Sequence, residues 1–265
     1  MDNQIDHKPE KKEYPSLGQA FGLIGIMILI SIAVAIPAEF VKDSTPTNFK
    51  SLVNGIAYVL TMLILLAFGI KMRKSITFHW KKVPLQILIL SIPLVISFGV
   101  LIEPLINTIP MPEKVKEFFN NFLTNDIYSF LTIAIAAPLL EEIVFRGIVL
   151  QGFLKRYSPV KAIFWSAVIF GTVHLNPWQF IPAFSLGLII GWLYWKTGSL
   201  IPGIVVHFIN NSFAFLILLL TNDNFVTTQQ IMGEGKSYYI FYGMCIPIFI
   251  GSVLLIHQRF KFKEA

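Results

Sequence analysis

The sequence predicts an all-α fold, a polytopic membrane bundle of about eight transmembrane helices with both termini on the cytoplasmic side. Three observations predict it. Of the 265 residues, 55% are hydrophobic and the mean hydropathy is +0.68, whereas soluble domains rarely exceed about half apolar. Charged residues make up only 14%, and they gather between apolar runs, as they do where lipid is the solvent for side chains. The basic flanks also alternate from one side to the other.

A spanning helix needs about 20 mostly apolar residues. Such runs extend approximately from Leu17 to Ala38, Leu52 to Ile70, Val83 to Leu105 and Ile127 to Leu154. Four more run from Val160 to Leu175, Phe180 to Trp195, Leu200 to Leu220 and Tyr238 to His257. The fifth and sixth are short. Ala33-Val34-Ala35 has the form of a leader cleavage site, but the first run is longer than a leader's apolar region and follows a mixed-charge tail, so it reads as a retained helix.

With eight spans, the N-terminal side carries 15 of the 21 lysines and arginines and the other side 5, with Arg146 inside a span. Lys71, Arg73, Lys74, Lys81 and Lys82 form the largest group. This bias orients the bundle. The net charge of +6 sits in these flanks and gives no reason to expect a nucleic-acid partner. The single cysteine, Cys245, excludes an intramolecular disulfide and any CxxC motif. Between the third and fourth spans, Val115, Phe118, Phe119 and Phe122 recur at helical spacing, which predicts an amphipathic helix on the external interface.

Ionisable groups inside a span cost about 2.5–3.5 kcal/mol even on the gentle insertion scale, so they have partners and tasks. In the fourth span, Glu142 and Arg146 lie four residues apart, about 40° round a helix, and can form an ion pair. Glu141 points about 100° away from Glu142 and is left to face something else. A carboxylate in an apolar site can serve as general base or acid. Pro138 takes away a backbone donor and crowds the carbonyl of Ala134, which predicts that the helix opens just before the carboxylates. The fifth span ends near His174. In the seventh, His207 and Asn211 share a face and can both donate to one acceptor, such as a developing oxyanion. Each motif alone could simply hold helices together. Three of them at similar depth predict a common cavity.

The ordered set of EExxxR from Glu141 to Arg146, FxxxH from Phe170 to His174 and HxxxN from His207 to Asn211 resembles the CPBP family, also called the Abi or type II CAAX protease family. This is a group of intramembrane proteases that includes the Rce1-type endopeptidases of prenylated proteins and proteins linked to bacteriocin self-immunity. The resemblance covers about residues 127–220. It implies that Glu141 activates the attacking water, His174 helps to hold it, His207 and Asn211 stabilise the oxyanion, and Glu142 with Arg146 shapes the site.

The family is also named metalloprotease. Zinc held by Glu141, His174 and His207 is the alternative to metal-free glutamate and histidine chemistry. The chain has no HExxH, and the expectation here commits to no cofactor.

On this reading residues 1–16 are a cytoplasmic tail and 17–126 the N-terminal helices with the interfacial helix. Residues 127–220 form the protease-like core, and 221–265 a loop, the last helix and a basic tail. The expected activity is hydrolysis of peptide bonds in membrane-associated proteins or peptides, in a multi-pass protein of a bacterial cytoplasmic membrane. The competing expectations are a non-catalytic immunity or interaction protein of the same fold, and a proton-coupled transporter.

Overall fold

The computed structural model describes residues 13–261 apart from 123, 224 and 234. The predicted tail up to residue 12, with Lys8, Lys11 and Lys12, and Lys263 lie outside the described residues. Among those described the chain is helical, with no strand beyond an isolated bridge between Trp80 and Ser199.

The helices are α1 (Leu17–Asp43), α2 (Lys50–Arg73), α3 (Leu85–Ile106), α4 (Glu113–Phe122), α5 (127–154), α6 (Pro159–Thr172), α7 (Pro177–Thr197), α8 (Ile201–Thr221), α9 (Thr228–Met232) and α10 (Lys236–Lys261). Six of them, α1, α2, α3, α7, α8 and α10, are long and apolar enough to cross a membrane. The other two predicted spans are α5, helical without interruption for about 42 Å, and α6, whose 14 residues reach about 21 Å. A hydrocarbon core is about 30 Å thick, so α6 is too short to cross it. The amphipathic helix predicted over Pro112 to Leu123 is α4.

Loops group on two faces, as alternating crossings require. On the basic face Lys155 pairs with Glu13 at 2.9 Å and Arg156 also bonds Glu13. There too the Ser199 hydroxyl donates to the Lys81 carbonyl at 2.7 Å. On the opposite face Asn125 donates to Asn222 at 2.6 Å, the Trp178 indole donates to the Ile109 carbonyl at 3.2 Å, and Lys116 pairs with Asp223 at 2.9 Å.

Burial divides the interior in two. Leu23, Leu65, Val149, Phe153 and Ile169 join α1, α2, α5 and α6, while Leu94, Ile190, Val206 and Ile256 join α3, α7, α8 and α10. Large apolar side chains such as Leu29, Phe40, Ile56 and Leu220 stand exposed around the outside, as lipid-facing residues do. Helices α6 and α7 approach closely because Gly187 has no side chain; a Cβ there would lie 3.1 Å from that of Ala167. Small residues at such crossings let backbones approach.

Two caps fix how chain enters the site region. Asp126 accepts from the backbone of Tyr128 and Ser129 at 2.8 and 3.0 Å and starts α5. Asn176 accepts from the backbone of Gln179 at 2.9 Å and starts α7, with Pro177 in the first turn. These oxygens satisfy donors that a helix start leaves open.

Candidate active site

Helix α5 carries two wide-turned π-helical stretches, Leu131–Ala136 and Phe145–Leu150, with the α-helical Ala137–Val144 between them. The predicted opening before the carboxylates is therefore a change of register rather than a break. Ala137 donates five residues back, to Thr132. In that register residue 138 would donate to Ile133, but proline has no N–H. The Asn211 side-chain amide donates to the Ile133 carbonyl instead, at 2.8 Å. The carbonyl left without its helical donor is that of Ile133, where simple α-geometry pointed to Ala134.

Glu142 and Arg146 form the expected pair, with Nη1 to Oε1 at 3.0 Å and both side chains 1% exposed. The guanidinium also lies 4.4 Å above the Phe170 ring and donates to the Gly187 carbonyl at 3.4 Å. The same Glu142 oxygen is 3.0 Å from His207 Nδ1, a contact that the spacing of the motifs did not reveal. Glu142 Oε2 has no hydrogen-bond partner and points at Gly203, where a Cβ would come within 2.9 Å. This pair sits behind the cavity and not in its wall.

Glu141 points the other way, as the 100° separation requires. Its Oε1 accepts from the Tyr58 hydroxyl at 2.6 Å, and its Oε2 lies 3.8 Å from His207 Nε2. Both ring nitrogens of His207 thus face a carboxylate oxygen. Glu141, His174, His207 and Asn211 all line one cavity of about 350 Å³, together with Tyr58, Asn54, Gln179 and Asn210.

His174 is not within a helix. It follows the end of α6, in a turn where Leu175 adopts a left-handed φ of 58°. Its Nδ1 lies 3.0 Å from the Phe170 carbonyl, which holds the ring edge-on to Phe170 with centroids 5.6 Å apart; His207 stands edge-on to the same ring at 5.6 Å. Asn211 has one amide hydrogen committed to Ile133 and receives a bond from Asn210 at 3.1 Å. Only its second hydrogen is left to face the cavity.

The zinc alternative can be tested on this geometry. His207 has Nδ1 engaged by Glu142, and His174 has Nδ1 engaged by a carbonyl, leaving one ring nitrogen each. Yet among the described residues no three His, Cys, Asp or Glu side chains lie close enough together to hold a metal ion. Glu141, His174 and His207 surround the cavity without closing on a common point, so no step is routed through zinc.

Sequence reasoning missed Tyr58 and Asn54, which reach the site from α2 in a stretch without any motif. A tyrosine in an apolar run looks like packing. The one signal was the polar pair Asn54 and Tyr58, four residues apart and so on one face of an otherwise apolar helix.

A helical membrane bundle that surrounds an interior cavity with a glutamate, two histidines and amide side chains, backed by a buried ion pair, is the class of protein these features define. Comparison with known proteins narrows it. Residues 123–213 match the family model for type II CAAX prenyl endopeptidases of the Rce1-like kind, a segment that contains all three motifs.

The chain is 29% identical over 97 residues to YdiL of Bacillus subtilis (strain 168), assigned by name to the membrane peptidases, covering 37% of this chain and 40% of that protein. It is 32% identical over 101 residues to the membrane-embedded CAAX protease MroQ of Staphylococcus aureus (strain USA300), covering 34% and 39%. The matched stretches thus span about two fifths of these relatives' length. No solved structure gives a significant match.

Proposed function

We propose that this chain is an intramembrane endopeptidase that hydrolyses peptide bonds of membrane-associated proteins or peptides, with water activated by Glu141. The observation that carries the reading is the convergence of Glu141, His174, His207 and Asn211 on one cavity, with Glu141 Oε2 only 3.8 Å from His207 Nε2.

In this mechanism Glu141 takes a proton from a water that His174 helps to hold, and the resulting hydroxide attacks the substrate carbonyl. The tetrahedral oxyanion accepts hydrogen bonds from His207 Nε2 and the free Asn211 amide hydrogen. For that role His207 donates from Nε2, while Nδ1 lies against Glu142 Oε1 at 3.0 Å and fixes the ring. Protonated Glu141 then delivers its proton to the amine as the C–N bond breaks. Tyr58 holds the other Glu141 oxygen, and Arg146 acts through Glu142 to position His207.

The test is Glu141→Gln, which keeps shape and removes the base. Purified protein in liposomes is assayed on candidate membrane-anchored peptides, and activity is expected to fall by about 10²–10⁴-fold. Full activity would end the assignment. A cellular phenotype that survives Glu141→Gln but not deletion of the gene would instead favour a non-catalytic immunity or interaction role. Activity is expected to survive chelation; a loss that zinc restores would replace this chemistry with a metal-dependent one.

A further inference from the structure

We propose that the cavity takes in its substrate from the face opposite the basic loops, the extracytoplasmic side, and that it selects neutral peptide segments over those bearing a carboxylate. The proposal rests on the protease reading for the word substrate, and on cavity shape and charge for the rest.

Shape sets the direction. Each helix that walls the cavity contributes from its end on the opposite face. Ser51 and Asn54 stand in the first turns of α2, Ser129 and Thr132 early in α5, and Gln179 in the first turn of α7. In α8, which runs away from the basic face, the wall comes from His207 onward through Asn210 and Ala214. Toward the basic face the space is filled. The Glu142–Arg146 pair, Val144, Phe145 and Ile148 are buried on that side, and none of them lines the cavity. From Ser129 to Glu141 along α5 is about 18 Å, the reach of about five residues of extended chain.

Charge sets the side and the preference. Among the described residues the face on which the cavity opens holds 5 lysines against 11 lysines and arginines on the other, so the basic face is cytoplasmic by the positive-inside rule. Hydroxyl and amide groups can pair with a peptide backbone. No lysine or arginine lines the cavity, and its one wall carboxylate is Glu141. A substrate carboxylate carried down to that level, a C-terminal one included, meets the Glu141 carboxylate and no lysine or arginine.

The experiment reads access without turnover. In a Cys245→Ala background, Asn54→Cys and Gln179→Cys are each exposed to membrane-impermeant methanethiosulfonates in right-side-out and inverted vesicles, with Arg259→Cys marking the basic face. The expected result is labelling of both cavity positions from the outside and of position 259 only in inverted vesicles. Deeper in the cavity, Ala183→Cys is expected to react with a cationic reagent about tenfold faster than with an anionic one of equal size.

Cavity cysteines reached only in inverted vesicles, or from neither side, would overturn the route. Labelling of position 259 from outside would overturn the sidedness, and equal rates for the two reagents would overturn the charge preference. Outward labelling in a protein that shows no proteolysis would leave the route standing and remove the peptidase reading. Proteolysis with inward labelling would do the reverse.

Discussion

Replacing Arg146 with methionine isolates one charge at the centre of the bundle. Methionine retains much of the apolar stem while the guanidinium is lost. Glu142 is then 1% exposed with one oxygen already unpartnered and the other left to His207 alone. A unit charge pair about 4 Å apart at an effective dielectric near 20 is worth about 4 kcal/mol. Removing one partner of a buried pair costs about 3–5 kcal/mol.

Loss of the stacking on Phe170 and of the bond to the Gly187 carbonyl adds in the same direction. The assay is reversible unfolding in mixed micelles for Arg146→Met, Glu142→Gln and the double variant. Arg146→Met is expected to lose about 3–5 kcal/mol. The double variant, in which no isolated charge remains, is expected to lose less than the sum of the singles by about 2 kcal/mol. A single-variant loss below about 1 kcal/mol, or strict additivity, would refute the view that this pair is one electrostatic unit.

Tyr58→Phe removes the 2.6 Å bond to Glu141. Hydrogen bonds to charged groups are worth about 1.5–3 kcal/mol, so kcat is expected to fall about 10–100-fold with KM little changed, and an unchanged kcat would remove Tyr58 from the site. Gly203→Ala would bring a Cβ within 2.7 Å of the Ile190 side chain and 2.9 Å of Glu142; overpacking of this kind costs about 1–3 kcal/mol, read as a lower melting temperature.

His79, in the loop after α2, bonds Gln151 at 3.0 Å and Tyr194 at 3.3 Å. Burial, and then Lys81, Arg73 and Lys155, hold it below the ordinary histidine value. The unfolded chain therefore binds this proton more readily. The contribution to stability is present above about pH 6.5 and is lost as pH falls through that value toward the folded pKa. Melting followed from pH 7.5 to 5 should show that slope, and His79→Gln should flatten it; a wild-type curve without the slope would exclude His79 as its source.

The crossings and the division of labour between adjacent glutamates were legible because both depend on local rules: apolar length, basic flanks and 100° per residue. The rest depends on how helices meet. Nothing near Tyr58 in the chain says that α2 will lie against α5, 83 residues away. The Glu142 contact with His207 needs α8 to cross α5 at that level, which spacing inside either motif does not encode. The predicted fifth span ran to Leu175, since Val173 and Leu175 are apolar. Helix α6 instead ends at Thr172, because the chain must reverse ahead of Pro177, and His174 was thereby moved from a helix face into a turn.

The π-helical stretches of α5 show why its carboxylates are aimed from outside. A widened turn loosens the link between one residue's direction and the next, so a helix with such turns on both sides of Glu141 and Glu142 has weak internal control of where they point. Neighbouring helices supply that control, and each stretch has a carbonyl held by a distant side chain at under 3 Å. Asn211 of α8 holds Ile133 in the first at 2.8 Å, and Arg73 of α2 holds Gly147 in the second at 2.7 Å. These clamps lie on opposite sides of the Glu pair, eight residues above Glu141 and five below Glu142. The orientation of the two glutamates is thus coupled to the packing of α2 and α8, the same helices that bring Tyr58 to one carboxylate and His207 to both. A change that slides either helix would disturb the clamp and the hydrogen bond together, so loosening this site should come as a concerted event in three helices, not as the fraying of one.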